Sequence, residues 1–228
     1  MSTYHTPVLL QESVAGLDIK ESGVYVDATL GGGGHTREIL SHLGPKGRLM
    51  VFDRDSDALA NAPKDKRIIV VHNNFRYIHH FVRYYGFEGV DGILADLGVS
   101  SHQFDTAERG FSFRYEAPLD MRMNCQNPKS AYHVINTYSE RELSDIFFKY
   151  GEEKFAPSIS RAIVKARGEK PIETTFELSD IIKSAMPAAA LREKQHPAKR
   201  SFQAIRIEVN SELDVIRPAL EAAAQRLR

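Results

Sequence analysis

Short β-branched segments alternate with amphipathic stretches over the first hundred residues. The apolar segments are nearly continuous, which is typical of strands that are buried on both faces of a parallel sheet. Helical periodicity fills the intervals between them. The predicted strands are 24–30, 48–53, 68–72 and 90–97, and the predicted helices are 36–43, 55–61 and 75–85. The pattern predicts an α/β fold, with helices covering both faces of a parallel sheet.

The pattern changes after residue 104. A loop rich in glycine, proline and aromatic residues runs to about Pro128, and amphipathic helices are predicted at 139–150, 156–167 and 175–185. A last helix is predicted from residue 210 to 228, with Asn210 or Ser211 as its N-cap. The second half therefore predicts a helical insertion in the α/β domain.

The composition is that of an ordinary globular protein, with 42% hydrophobic and 26% charged residues in 228. Cys125 is the only cysteine, which excludes an intrachain disulfide and a thiolate metal cluster. The nine histidines lack the spacing of a zinc motif, so no metal site is predicted. The amino terminus has no signal-peptide pattern, and no apolar run reaches the ~20 residues of a membrane span. We expect a cytoplasmic protein without a membrane partner.

Equal numbers of basic and acidic residues, 30 of each, conceal two basic stretches. Residues 154–170 hold five basic residues against Glu169 alone, and residues 183–206 hold six against Glu193 alone. Such stretches follow the phosphates of a nucleic acid in some proteins and are solvated helix faces in others.

Four successive glycines, Gly31 to Gly34, follow the first predicted strand. Glycines allow the backbone to approach a ligand, and the helix that follows, with Thr36 as its predicted N-cap, offers unpaired N–H groups. A tight turn without a ligand is the alternative, although four glycines are costly in entropy for a turn alone. No lysine completes a P-loop, and the dinucleotide fingerprint fails at Thr36 or Arg37. The run predicts a ligand other than a nucleoside triphosphate.

Asp53 ends the second predicted strand, about 20 residues after the glycines. An ionised carboxylate only accepts hydrogen bonds, so it suits the two ribose hydroxyls of either NAD or S-adenosylmethionine. Its alternative role is the N-cap of the helix that follows. The residues alone leave these possibilities open.

Longer motifs occur in a fixed order along almost the whole chain. They are His5–Leu9, Asp27–Thr36, Asp53–Asp55, Asp96–Ser101, Glu108–Phe113, Pro118–Met123, Tyr150–Glu153 and Phe202–Asn210. Together they resemble the RsmH (MraW) family. The resemblance implies a Rossmann-like class I methyltransferase that uses S-adenosyl-L-methionine. Its expected product is N4-methylcytosine in the decoding region of 16S rRNA.

The resemblance also implies a different role for each part of the chain. Residues 1–104 would form the Rossmann-like cofactor-binding part, and residues 105–205 a mostly helical insertion for substrate recognition. Residues 206–228 would return to the Rossmann-like part. The expected partner is 16S rRNA or the small ribosomal subunit, and the oligomeric state is open, with a homodimer among the alternatives.

The family's cofactor positions match seven residues of this chain. Gly33, Gly34 and His35 would contact the methionine part of the cofactor, Asp53 the ribose and Phe75 the adenine. Phe75 as a core residue at the start of a helix is the alternative. Asp96 and Gln103 match two further cofactor positions.

Asp96 is also the predicted catalytic residue. It lies at the carboxyl end of the fourth predicted strand, where ligands of open α/β sheets bind. Amino-group methyltransferases commonly place a polar residue and Pro-Pro-aromatic at this point, whereas this chain has Asp-Leu-Gly-Val. The Asp96 carboxylate could still accept a hydrogen bond from the target amine and orient it. A nicotinamide-dependent oxidoreductase and a non-catalytic RNA-binding protein are the alternative functions.

Three aromatic residues alternate with polar ones in the glycine- and proline-rich loop. Phe111, Phe113 and Tyr115 either stack on unpaired bases or attach the loop to the core.

Family members continue beyond the position of Arg228 into a further apolar strand and a Ser-Phe-His-Ser segment. The resemblance therefore predicts that the last strands of the sheet are missing, which would leave residues 93–95 as an exposed apolar edge. We expect low stability and little methyl transfer from this chain, and a gain in both when those strands are appended.

Overall fold

Two compact units make up the protein. The computed structural model describes residues 7–228, so the first two residues of the motif His5–Leu9 lie outside it. The first unit contains the chain up to Ser101 and again from Leu213 onward, and the second unit is His102–Glu212.

The first unit is built on a four-stranded parallel sheet. β1 (Val24–Asp27) pairs with β2 (Arg48–Asp53) on one side and with β4 (Gly92–Leu94) on the other. β2 also pairs with β3 (Ile68–His72), so the order is β3-β2-β1-β4. The predicted α/β class and the bounds of β2 and β3 are confirmed.

β1 and β4 are shorter than predicted. After each of them the chain runs toward a glycine with a positive φ, Gly31 at +48° and Gly98 at +148°. Residues 28–30 and 95–97 lie at the carboxyl edge of the sheet, where the Ala28 and Leu30 N–H groups still donate to the Leu94 and Phe52 carbonyl oxygens.

Helices cover both faces of this sheet because both faces of its strands are apolar. Tyr25 and Val26 are fully buried on opposite sides, where they pack with Ile39 and with Ile78 respectively. The helices of this unit are α1 (Leu10–Ala15), α2 (Gly34–His42), α3 (Ser56–Leu59), α4 (Ile78–Tyr84, after a 3-10 turn at Phe75–Tyr77) and, after the second unit, α11 (Ile216–Ala224).

The outer edge of β4 is partly covered. Leu227 forms a parallel bridge with Val90, in which the Val90 N–H donates to the Arg226 carbonyl oxygen at 2.8 Å. Val90 is fully buried, and Leu94 is 8% exposed. Within the predicted edge, residues 93–95, Ile93 is partly buried and Ala95 is exposed. The expectation of an exposed apolar edge is therefore wrong for the side chain of Leu94.

The second unit is helical. Its helices are α5 (Ser101–Asp105), α6 (Ala131–Thr137), α7 (Glu140–Gly151), α8 (Ala156–Glu169), α9 (Thr175–Ser184) and α10 (Lys199–Asn210), with 3-10 turns at Ala107–Arg109 and Ala190–Arg192. Capping boxes begin two of them, since the side chains of Ser139 and Glu142 bond each other's backbone N–H at α7, and Thr174 and Glu177 do so at α9. The three helices predicted for this region are confirmed.

The prediction that Asn210 or Ser211 begins the last helix is wrong. Asn210 is the final residue of α10, and Ser211 follows with a left-handed φ of +49°. α11 begins only at Ile216, after a turn. A polar Asn-Ser pair is compatible with either end of a helix, because both residues favour caps and turns.

A clamp holds the loop before α6. The Asn210 side chain accepts a hydrogen bond from the Met123 N–H (2.8 Å) and donates one to the Met121 carbonyl oxygen (2.7 Å). Met121 is fully buried with a left-handed φ of +57°, which is unfavourable for a side chain with a Cβ. The Arg109 guanidinium adds a bond to the Arg122 carbonyl oxygen at 2.9 Å. The clamp offsets the strain at Met121.

None of the helices that the structure describes is long and apolar enough to cross a lipid bilayer.

Candidate active site

A turn of glycines joins β1 to α2. Gly33 has a φ of +75° and precedes the helix, and a Cβ on it would come within 2.9 Å of the Asn61 carbonyl oxygen. A Cβ on Gly34 would overlap the ring of Pro7. These two glycines are therefore required by the packing of the loop, whatever the loop binds. The predicted cap Thr36 lies inside α2, because the helix begins two residues earlier than expected.

Asp53 ties the end of β2 to this loop. Its Oδ2 accepts the Gly31 N–H at 2.9 Å, and its Oδ1 accepts the Asp55 N–H at 2.9 Å. The Arg54 N–H also bonds this carboxyl group. A carboxylate has about four acceptor positions, so some capacity remains for a ligand hydroxyl. The alternative role of Asp53 as N-cap is wrong, since Asp55 caps α3 by accepting the Asp57 N–H.

A hydrogen-bond chain links the ends of β4, β1 and α2. The Asp96 N–H donates to Thr29 Oγ1 (2.8 Å), and the Thr29 N–H donates to Asp27 Oδ1 (3.0 Å). The Thr36 hydroxyl donates to Asp27 Oδ2 at 2.6 Å. Our sequence reasoning missed Asp27 and Thr36 as site residues. The signal was a charged residue at the end of an otherwise apolar strand.

Burial sets the protonation of the two carboxyl groups behind the glycine loop. Asp27 is fully buried, and this burial raises its pKa above the usual value although the bonds from Thr36 and Thr29 act in the opposite direction. Burial likewise raises the pKa of Asp53, against the bonds from Asp55 and Gly31. The carboxyl edge of the sheet therefore holds two acids that take up protons more readily than exposed ones.

His35 and Asp96 complete this part of the site. His35 is the second residue of α2 and is only 5% exposed, and its Nε2 has no hydrogen-bond partner within residues 7–228. A buried polar atom without a partner is costly, so His35 Nε2 is a candidate contact for a ligand. The Asp96 side chain is exposed at the carboxyl end of β4.

The raised pKa of Asp27 predicts a pH-dependent free energy of unfolding. A carboxyl whose pKa is higher in the folded state contributes stability that is fully present below the unfolded value of about 3.8 and is lost as pH rises through the folded value. Asp27→Asn removes this titration and keeps the oxygen that accepts the Thr29 N–H. We expect the free energy of unfolding of the variant minus that of wild type to increase from pH 4 upward and then level off, because only wild type loses stability as Asp27 ionises. Urea unfolding at a series of pH values measures this difference. A constant difference from pH 4 to pH 8 would contradict the assignment.

The family model that describes the MraW methylase family matches residues 2–228. The match covers both units, including the glycine loop and all three acids at the carboxyl edge. This chain belongs to the MraW methylase family.

Several proteins that are similar to this chain share the same description. The chain is 52% identical over 225 residues to a ribosomal RNA small subunit methyltransferase H of Flavobacterium johnsoniae, covering 99% of this chain and 74% of that protein. It is 54% identical over 231 residues to a protein of the same description from Clostridium botulinum strain Loch Maree, covering 100% of this chain and 74% of that one. A third, from Phocaeicola vulgatus, is 53% identical, with 99% and 73% covered.

Phe75 and Gln103 are the remaining predicted cofactor residues of this MraW methylase. Phe75 begins the 3-10 turn after β3 and is half-buried against the core cluster that contains Val71 and Ile78. Part of its ring therefore serves the core, as the alternative interpretation had it, and part is accessible. Gln103 is buried in the second unit on α5. Their contacts with a cofactor stay predictions.

The aromatic loop of the MraW methylase serves mainly its own packing. Phe111 is 4% exposed, and Phe113 stacks on His196 with ring centroids 4.1 Å apart and the planes at 8°. Phe113 also meets Phe202 edge to face at 5.6 Å. Tyr115, by contrast, is about half exposed. Attachment of the loop to the core therefore accounts for the two phenylalanines, and only Tyr115 is free to stack on a base.

The described residues of the MraW methylase contain no group of three or more His, Cys, Asp or Glu placed to hold a metal ion.

Proposed function

We propose that this chain is a methyltransferase that uses S-adenosyl-L-methionine to methylate the N4 amine of a cytosine in the decoding region of 16S rRNA. The proposal rests on one observation above the others, the hydrogen bond between Gly31 and Asp53. It joins the two elements expected to hold the methionine part and the ribose of the cofactor. Family membership and the names of the relatives support the reaction and the RNA substrate.

The residues around the glycine loop fit S-adenosyl-L-methionine. The first turn of α2 has N–H groups without partners in the helix, which suit the carboxylate of an amino acid. His35 Nε2 is a buried atom that needs a partner. Asp53 has acceptor capacity for the ribose hydroxyls, and Phe75 offers the accessible part of its ring to the adenine. The donor and acceptor types agree with each part of this cofactor.

Asp96 orients the target amine in this proposal. When bound, S-adenosyl-L-methionine supplies an activated methyl group on a sulfonium. The Asp96 carboxylate would accept an N–H of the cytosine amine and so direct the nitrogen lone pair toward the methyl carbon. The methyl group would pass from that sulfonium to the amine nitrogen, and the proton that the amine loses would pass to solvent water, since Asp96 is exposed. The bond from the Asp96 N–H to Thr29 holds this residue beside the glycine loop. Such positioning supplies several kcal/mol in rate.

The proposal is tested by transfer of labelled methyl to 16S RNA and to 30S particles. Enzyme is used in excess under single-turnover conditions so that slow transfer is detected, and the RNA is digested to nucleosides. We expect the label in N4-methylcytidine. Label on another atom would contradict the target, and binding of RNA without any transfer would favour the non-catalytic alternative. Calorimetric titration with S-adenosyl-L-methionine and with NADH separates the proposal from an oxidoreductase.

The helical insertion is expected to contact the RNA through its basic residues. The candidates are Lys154, Arg161, Lys165, Arg167, Lys194, Lys199 and Arg200. Arg167 is already engaged, because its guanidinium donates to the carbonyl oxygens of Ile135 and Tyr138 at the end of α6. Lys199 is exposed and Arg200 half-buried in the first turn of α10.

Neutralising the first turn of α10 should weaken RNA binding. For Lys199→Gln with Arg200→Gln, we expect the slope of log affinity against log salt to fall by up to ~1.5, at ~0.7 per phosphate for single strands. Fluorescence anisotropy of a labelled 16S fragment measures it. Arg141→Gln is the control, since Arg141 is 91% exposed on α7 beside Asp145. An unchanged slope in the double variant would make this turn a solvated surface.

A further inference from the structure

One exposed face of the first unit combines aromatic and basic side chains. The 3-10 turn and α4 read FRYIHHFVRY, and five of these residues follow one another at helical spacing. We name them the α4 face: Arg76, Tyr77, His80, Arg83 and Tyr84. Residues three, four and seven positions apart lie on the same side of a helix, so these five form one stripe.

The α4 face is turned away from the core. Ile78 and Val82 fill the opposite side of the helix, at 2% and 0% exposure, and pack on the sheet. Tyr84 is 79% exposed and Tyr77 41% exposed. The Arg76 guanidinium carbon lies 5.2 Å from the centre of the Tyr77 ring. A face that only needed solvation would not require two accessible tyrosines beside cations.

The face is positively charged without acidic neighbours on its own helix. No Asp or Glu occurs between Phe75 and Phe87. Within residues 7–228, neither Arg76 nor Arg83 forms a salt bridge.

A third arginine comes from the end of the chain. Arg226 Nε donates to His79 Nδ1 at 3.1 Å, next to the ring of His80. Burial lowers the pKa of His79, and the charges of Arg226, His80 and Arg83 lower it further. Arg226 and Arg83 are therefore both close enough to His79 to lower its pKa, and the cationic side chains are concentrated along α4.

We propose that the α4 face, together with Arg226, binds a single-stranded segment of the substrate RNA. The guanidinium groups neutralise phosphates, and the rings of Tyr77 and Tyr84 stack on unpaired bases. Every base has a face for stacking, so this surface holds the strand without reading its sequence. The proposal rests on the proposed function only for the identity of the RNA. Charge favours RNA over a protein partner, which would have to bring a matching acidic surface.

The test is binding of a fluorescein-labelled, unstructured 20-nucleotide RNA, followed by anisotropy over a series of salt concentrations. For Arg76→Gln with Arg83→Gln, we expect the salt slope to fall by about 1.4, which is two phosphates at ~0.7 each. For Tyr77→Leu and Tyr84→Leu, we expect affinity to fall about tenfold for each ring at an unchanged slope, within the range for base stacking. A duplex of the same sequence should show no effect of the tyrosine substitutions.

Arg217→Gln is the matched control, because Arg217 is 90% exposed on α11 in the same unit but is paired with Glu221 at 2.9 Å. It should leave the slope unchanged. The inference is overturned if wild type binds the RNA and all α4-face variants bind it with the same affinity and salt slope. It is also overturned if the wild-type protein does not bind the RNA. Loss of binding to 30S particles but not to RNA would assign the face to a ribosomal protein instead.

Titration with S-adenosyl-L-methionine separates this inference from the proposed function. All α4-face variants should bind the cofactor as wild type does. Suppose that wild type does not bind the cofactor and does not transfer methyl groups, but the α4-face variants still lose RNA affinity. The proposed function is then wrong, and the inference about the RNA-binding surface is supported. If wild type binds the cofactor and transfers methyl groups while the α4-face variants keep wild-type RNA affinity, the proposed function is supported and the inference about the α4 face is wrong.

Discussion

Replacing Asp96 by alanine should slow methyl transfer about 100-fold in a single turnover at saturating RNA and methyl donor. In the proposed mechanism its carboxylate is the acceptor that aims the target amine, and misplacing a reacting group by ~1 Å costs on the order of 10²-fold. The Asp96 backbone, which donates to Thr29, is unchanged by the substitution, so the loop should keep its conformation. Rates are measured by rapid quenching and counting of labelled methyl in RNA.

Asp96→Asn is the matched variant, because its carboxamide oxygen can still accept the amine N–H. It should recover much of the rate that alanine loses. RNA affinity should change little in either variant. A larger Kd for S-adenosyl-L-methionine with an unchanged rate at saturation would make Asp96 a cofactor residue only, and equal rates in all three proteins would remove it from the mechanism.

Asp53→Ala should weaken binding of S-adenosyl-L-methionine ten- to hundredfold. Loss of hydrogen bonds to a charged acceptor costs on the order of 1.5–3 kcal/mol. Part of the loss has a second origin, because the same carboxylate accepts the Gly31 N–H and so holds the glycine loop. Isothermal calorimetry gives the total, and Asp57→Ala, an exposed acid in the first turn of α3, is the control.

A cofactor analogue without the 2′-hydroxyl separates the two origins. If Asp53 holds the ribose, wild type should bind the deoxy analogue less tightly, and the Asp53→Ala variant should bind both compounds equally. If the variant still distinguishes them as strongly as wild type does, the carboxylate supports the loop and does not contact the ribose.

Strands were predictable where apolar residues run without interruption. The segments at β2 and β3 end in Asp53 and His72, so a polar residue marks the edge of the sheet. β4 has no such mark at its true end, since Ala95 and Leu97 continue the apolar pattern although the chain has already left the sheet. Hydrophobicity alone cannot report where hydrogen bonding between strands stops.

The ends of helices were less predictable than their existence. Ser139 and Thr174 form capping boxes that the sequence displays directly. α2 begins instead at a left-handed glycine, while Thr36, a good capping residue, donates its hydroxyl to buried Asp27. That partner is nine residues earlier in the chain and comes close only through the turn between them.

The residues of the candidate site also differ in how well the sequence predicts them. The glycine run and Asp53 could be selected from the sequence by residue type and spacing, and Asp96 through the family resemblance. For Asp27 the sequence shows only a charged residue at the end of an apolar strand, because its role depends on full burial and on the two groups that donate to it. Burial is a property of the folded chain, and one sequence does not display it.

The clamp around Met121 has a consequence for the order of folding events. Asn210 bonds Met121 and Met123 across 89 and 87 positions, so the turn at Met121 lacks these two bonds until α10 has formed and reached it, and only the nearer Arg109 supports it before then. Contacts of such sequence separation form late, because the entropy of closing the intervening loop must be lost first. We therefore expect the loop before α6 to gain its full amide protection after helices α7 to α9.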